Sequence, residues 1–268
     1  MRLFTFGCSI TQFFYPTWAD LLIEHFGYGE NWGRTGAGNQ YIFTRIWEAD
    51  RLNHFNKNDI VIVQWSSMFR DDRYIEGHGW HLAGNIFHGQ LIDEPLELNN
   101  FRYKSQYQWA DQTHMVMRDC AMIASIRTML EQRGCKTVFF NFADVNTEHK
   151  KINEILNYYK EYLETDAPGI MDWNGYNNKD YVNSRPMILN DPSDNISNIR
   201  PEMHPLPFEH ADYLEKFILP KLDESQLLSS AVKLAEEYQT KLTECQPAVL
   251  SALGWTEQNT EKLGWSDD

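Results

Sequence analysis

The 268-residue chain has no excess of positive charge, no cysteine framework and no long apolar run. Lysine and arginine number 24 against 38 acidic residues, for a formal charge of −14. Such a surface repels phosphate backbones and anionic lipid headgroups. No cluster of Lys and Arg rises above that background, so no nucleic-acid partner is expected. Neutral or cationic substrates, such as esters of sugars or alcohols, fit better. Cys8, Cys120, Cys135 and Cys245 are widely spaced and form no C-x-x-C pair. That argues against a disulfide scaffold or a zinc cage, and suits a reducing compartment. No stretch approaches the ~18–20 apolar residues of a membrane span. The apolar run from Leu3 to Phe6 is too short for the core of a secretory signal, so a cytoplasmic location is the expectation.

What is present supports a packed α/β domain. Hydrophobic residues make up 42% of the chain and aromatics 14%, enough to bury a sizeable core. Leu3 to Phe6, Asp59 to Gln64 and Lys136 to Phe142 are short apolar runs of the kind that form buried parallel strands. Asn31 and Trp32 suggest a further short strand. Between these runs, helical spacing predicts helices from Pro16, over 40–52, around 116–130, over 152–163 and over 207–222. Strands alternating with helices imply a mainly parallel sheet covered on both faces, a three-layer α/β/α sandwich. We expect residues 1–222 to form this domain, with an irregular insertion at about 68–112. Residues 223–268 form a helical extension and tail, in which Leu253-Gly254-Trp255 recurs as Leu263-Gly264-Trp265. Trp255 and Trp265 would be costly to leave in water, so the tail is expected to pack on the domain, a second copy or another partner.

In parallel sheets, ligands bind beyond the carboxyl ends of the strands. The first strand ends in Gly7-Cys8-Ser9, where the glycine permits a tight turn and Ser9 faces the crevice. The second leads to Gly36, whose N–H can approach a substrate oxygen closely. The third ends in Trp65-Ser66-Ser67. A nucleophilic oxygen with donors aimed at a developing oxyanion is the equipment of acyl transfer. The base comes from Glu202-Met203-His204-Pro205. Pro205 pushes His204 toward extended backbone, and residues i and i+2 of an extended segment project to one side. Glu202 can then orient one imidazole nitrogen while the other faces Ser9.

Gly7-Cys8-Ser9 resembles the Gly-Asp-Ser block of the SGNH (GDSL-like) hydrolase superfamily, with Cys8 in place of Asp. Asn31-Trp32-Gly33-Arg34-Thr35-Gly36 resembles its second block, and Glu202-Met203-His204-Pro205 its last. The resemblance implies a flavodoxin-like sheet and metal-free, cofactor-free ester hydrolysis by Ser9, His204 and Glu202. The oxyanion hole would comprise the Ser9 and Gly36 N–H groups. The third block departs from the pattern, placing Ser67 where an Asn side chain is expected, so Ser67 or Asn39 is the candidate third donor. The acid is Glu rather than Asp and stands two positions before the His.

Competing readings accompany each assignment. Ser9 can be a plain helix cap, His204 a loop histidine and Cys8 the nucleophile instead. Trp65, Arg70 and Trp80 are candidates for substrate binding, the rings by stacking on a sugar and Arg70 by holding a carboxylate. For the rings the alternative is simple core. His78, His81 and His88 match no established zinc spacing, so no metal is expected. The expected activity is that of an esterase on a small-molecule or glycan ester. The rivals are an acyltransferase with the same triad, or a non-catalytic module binding glycan or protein.

Overall fold

A computed structural model of the chain describes residues 1–88, 97–98, 109–145, 149–175, 185–189 and 199–252. The first half runs β1 (Arg2–Phe6), α1 (Trp18–Phe26), β2 (Glu30–Asn31), α2 (Asn39–Asn53), β3 (Asp59–Trp65), β4 (Arg70–Ile75) and β5 (Gly79–Asn85). There follow α3 (Gln112–Arg133), β6 (Lys136–Asn141), α4 (Lys150–Tyr158), α5 (Lys160–Leu163) and α6 (Ile170–Trp173). The chain closes with β7 (Met187–Leu189), β8 (Ile199–Pro201), α7 (Pro207–Tyr213) and α8 (Ser229–Ala252).

The central sheet has the order β2-β1-β3-β6, parallel at every pairing. This is the flavodoxin-like 2-1-3-4 arrangement when only the sheet's own strands are counted. Continuous apolar runs suit it because alternate side chains enter opposite layers. Leu3, Ile60, Ile62, Val138 and Phe140 pack with Trp18 and Leu22 of α1, Met171 of α6 and Tyr213 of α7. Phe4, Phe6, Val61, Val63 and Phe139 pack with Ile42 and Ile46 of α2 and with Ile123 of α3. The result is a three-layer α/β/α fold. No helix among the described residues is long and apolar enough to cross a membrane.

Local chemistry sets the helix ends. The Thr17 N–H donates to Asp20 Oδ2 at 2.9 Å, which starts α1 just past Pro16. Gly27 ends it at φ 72°. The helix expected over 152–163 is two, broken at Tyr159. The one over 207–222 continues past α7 as a wider turn at Leu214–Ile218 and a tighter one at Leu219–Leu222, where Pro220 has no N–H to give.

Order also appears where irregularity was expected. β4 and β5 form an antiparallel hairpin inside the 68–112 segment, turned through Gly77 and Gly79 with φ of 76° and 80°. Its hydrophobic alternation is hidden because Asp71 and Asp72 are the buried members of β4. In the stretch after Asp166, β7 pairs antiparallel with β8. The extension begins as α8, which packs on α1 and α7 and buries Ala231 and Ala235. Ahead of it, the Leu228 N–H donates to His25 Nδ1 at 3.0 Å. Leu253-Gly254-Trp255 and its repeat lie outside the described residues, and so does the question of what Trp255 and Trp265 touch.

Candidate active site

The turn after β1 is tied to its neighbours by side chains as well as by the sheet. Gln64, the next-to-last residue of β3, accepts from the Cys8 N–H at 3.1 Å, from Cys8 Sγ at 3.2 Å and from Thr11 Oγ1 at 3.2 Å. Cys8 Sγ is thereby turned inward, fully buried, and Ser9 is left as the residue facing the rim. The Thr11 and Gln12 N–H groups both return to Cys8 O, so Ser9 sits in a single helical turn ahead of α1 proper. Gly7 is required here. A Cβ on it would lie 1.9 Å from Thr11 Oγ1 and 2.7 Å from Gln64 Oε1.

His204 reaches this turn from the far end of the chain. Its Nε2 is 2.9 Å from Ser9 Oγ, and its Nδ1 is 2.7 Å from Glu202 Oε1. A carboxylate only accepts, so Nδ1 carries the proton and Nε2 accepts from the Ser9 hydroxyl. Glu202 also accepts the His204 backbone N–H at 2.7 Å. The Glu202 side chain is 1% exposed and that of His204 27%, so the acid is sealed while the imidazole opens to solvent. Glu202 Oε2 is buried without a hydrogen-bond partner among the described residues. A carboxylate so placed favours any positive charge that forms on His204. The Phe13 ring, 4.1 Å from the imidazole centroid, walls the other side.

Sequence reading missed the group that holds this segment. The pairing of β7 with β8 brings Arg185 beside Glu202, whose N–H donates to Pro186 O at 2.9 Å. The Arg185 Nε donates to Glu202 O at 2.7 Å, Nη2 donates to His204 O, and Nη1 pairs with both Glu209 oxygens at 2.7 Å. Glu209 also accepts the Leu206 N–H at 2.6 Å, at the start of α7. One guanidinium therefore fixes Glu202, His204 and the start of α7 together. Nothing in the stretch around Arg185 has a periodicity that would have marked it. His210, on the same helix, is fully buried, and burial, with the Arg185 charge nearby, lowers its pKa to about 3. It is neutral at ordinary pH.

The loop that carries Gly36 is pinned to the same rim. The Arg34 N–H donates to Gly7 O at 3.1 Å, and Thr35 Oγ1 donates to Gln12 O at 2.7 Å. Gly36 adopts φ 83°, a left-handed turn conformation suited to glycine. Neither the Ser9 nor the Gly36 N–H has an acceptor among the described residues. Beyond the loop, buried Asp72 accepts the Gly38 N–H at 2.8 Å and the Tyr41 N–H at 3.0 Å, capping α2 from another strand. Burial raises the Asp72 carboxyl above its ordinary range.

Asn39 does not supply an oxyanion donor. Its Oδ1 accepts the Ser66 N–H at 2.8 Å, and its Nδ2 donates to Ser66 O at 3.1 Å and to Asp119 Oδ2 at 2.8 Å. Both amide hydrogens are spent on holding the turn after β3, at a fully buried position. Asp119, pushed up to about 6 by burial, is paired with Arg118. Ser67 Oγ accepts the Phe69 N–H at 3.3 Å, which leaves its own hydrogen to give. Trp65 is 2% exposed and belongs to the core layer, while Trp80 stacks edge-on against Tyr41 and Tyr74. Trp65 does border a cavity of about 340 Å³ past the ends of β3 and β6, with Ser66, Met68, Asn141, Asp144 and Lys160.

No protein-family model matches the chain, and no curated protein does either.

Proposed function

We propose that the chain is a serine esterase of the SGNH type, acting through Ser9, His204 and Glu202. The reading rests on one observation. A serine, a histidine and a buried carboxylate from distant parts of the chain meet in a continuous hydrogen-bonded line, at the rim where parallel sheets bind ligands.

In this mechanism Ser9 Oγ attacks the ester carbonyl as His204 Nε2 takes its proton. Glu202 holds the imidazole in the required tautomer and stabilises the imidazolium. The free N–H groups of Ser9 and Gly36, with the Ser67 hydroxyl, receive the developing oxyanion. The carbon–oxygen bond to the alcohol then breaks, and His204 returns the proton to the leaving oxygen, leaving an acyl-Ser9. Water attacks that ester as His204 accepts its proton. Collapse releases the acid, and the proton returns to Ser9. Losing one oxyanion donor costs ~10²–10³ in turnover elsewhere, so Ser67 in place of an amide donor predicts a slow enzyme.

A fluorophosphonate probe tests the proposal directly. Labelling at Ser9 that vanishes in Ser9→Ala and His204→Ala is the expected result. Folded wild-type protein that takes no label would overturn the proposal and favour a binding module.

A further inference from the structure

The chain's acidity argues for neutral or cationic substrates, yet Arg70 at the carboxyl rim has no ion-pair partner among the described residues. Arg70 opens β4, and its N–H donates to Ser67 O at 3.3 Å, which roots it in the turn after β3. Its Nη1 donates to Ala37 O at 2.8 Å, one residue past Gly36. Its guanidinium carbon lies 5.6 Å from the centroid of Phe142, the residue after β6. In the order β2-β1-β3-β6, a group that meets the loop after β2 and the end of β6 sits over the strand ends between them. Those ends lead into Ser9 and Ser66-Ser67.

Arg45 and Arg127, like Arg70, bury an Nε with no acceptor among the described residues, but each lies over an aromatic ring of the core layer, Trp32 and Phe139, away from the Ser9 rim. Four further arginines each hold an acid. Arg2 holds Asp59, Arg133 holds Asp50, Arg185 holds Glu209, and Arg118 holds Asp119. Arg70 has no carboxylate within 4 Å among the described residues, and its Nε is buried with no acceptor among them. Its acidic neighbours on β4 make their close contacts elsewhere, although Asp72 is near enough for its charge and that of Arg70 to attract. Asp71 faces Arg73 and Arg118, and Asp72 spends its oxygens on the Gly38 and Tyr41 N–H groups. Buried donors left without partners cost free energy. With Nη1 given to Ala37 O, the Nε–Nη2 edge of the guanidinium is the side left to receive a carboxylate.

We propose that Arg70 anchors a carboxylate carried by the substrate, which makes the preferred ester an acidic one despite the chain's overall charge. This rests on the esterase reading for its place in catalysis, though not for the binding itself. The test uses the full chain, with glutarate as probe at constant ionic strength. Calorimetry should detect glutarate binding to wild-type protein. Arg70→Gln should weaken it about tenfold or more, the scale of one charge-assisted hydrogen bond. Arg70→Lys, which keeps the charge but loses the fork, should fall between them. Glutarate should also compete with hydrolysis of 4-nitrophenyl acetate, with an inhibition constant that rises in Arg70→Gln by the same factor. Absence of glutarate binding, or equal binding by wild type and a folded Arg70→Gln, overturns the proposal. If no ester is turned over while glutarate binding still depends on Arg70, the anion site stands and the esterase reading falls.

Discussion

Glu202 Oε1 meets His204 twice, at the ring Nδ1 and at the backbone N–H, each at 2.7 Å. One oxygen thus sets both where the imidazole is and which way it faces. Glu202→Gln keeps an acceptor for both N–H groups but removes the charge that steadies the imidazolium. The expected result is a kcat/KM lower by roughly 10²–10⁴, as for neutralised acids in related triads, with little change in the thermal midpoint. Unchanged turnover in the variant would mean that Glu202 only shapes the loop.

Gly7→Ala tests the packing under the proposed nucleophile. The added methyl would collide with buried Thr11 and press on Gln64, the residue that ties the Ser9 turn to β3. A loss of about 1–3 kcal/mol in urea unfolding is expected, the usual cost of overpacking. Probe labelling of Ser9 should slow about 10²-fold, since displacement by an ångström is enough to do so.

Asp72→Ala removes the cap that β4 lends to α2 and leaves the Gly38 N–H without its acceptor. The loss should be about 1–2 kcal/mol, moderated because the buried carboxylate is itself costly to keep. That corresponds to a fall of roughly 2–8 °C in the thermal midpoint. Turnover should fall as well, because the displaced loop carries Gly36. A variant that loses stability and keeps full activity would separate the cap from the site.

Asp119 gives the fold a pH dependence of unusual sign. Its carboxyl is raised from 3.8 to about 6 by burial, so the folded state holds this proton more tightly than the unfolded chain does. Its contribution is complete below the unfolded value and is lost as pH rises through about 6. Between pH 4 and 7 that loss is on the order of 1–3 kcal/mol. Asp119→Asn should flatten this part of the curve in urea unfolding at several pH values, and parallel curves would remove Asp119 as its source.

Much of this layout was legible in the sequence. The β1, β3 and β6 runs are apolar throughout because both faces of each strand are covered. Ser9 and His204 stood out because each sits where a strand or extended segment ends. The hairpin of β4 and β5 did not, since its buried positions are aspartates that serve as a cap and an ion-pair partner. Arg185 gave no signal either. Its role comes from the pairing of β7 with β8, a tertiary choice that no local pattern encodes. Asn39 was misread for a related reason, because an amide near a glycine loop looks available until the backbone of Ser66 is seen to occupy it.

Ser9 and His204 are separated by 195 positions in the chain. For most of translation a growing chain displays the hydroxyl with nothing to activate it. Docking of α8 against both α1 and α7 then clasps the first and last parts of the domain together. On the proposed esterase reading, reactivity would therefore arrive in one late step, and truncated translation products would be inert rather than partially active.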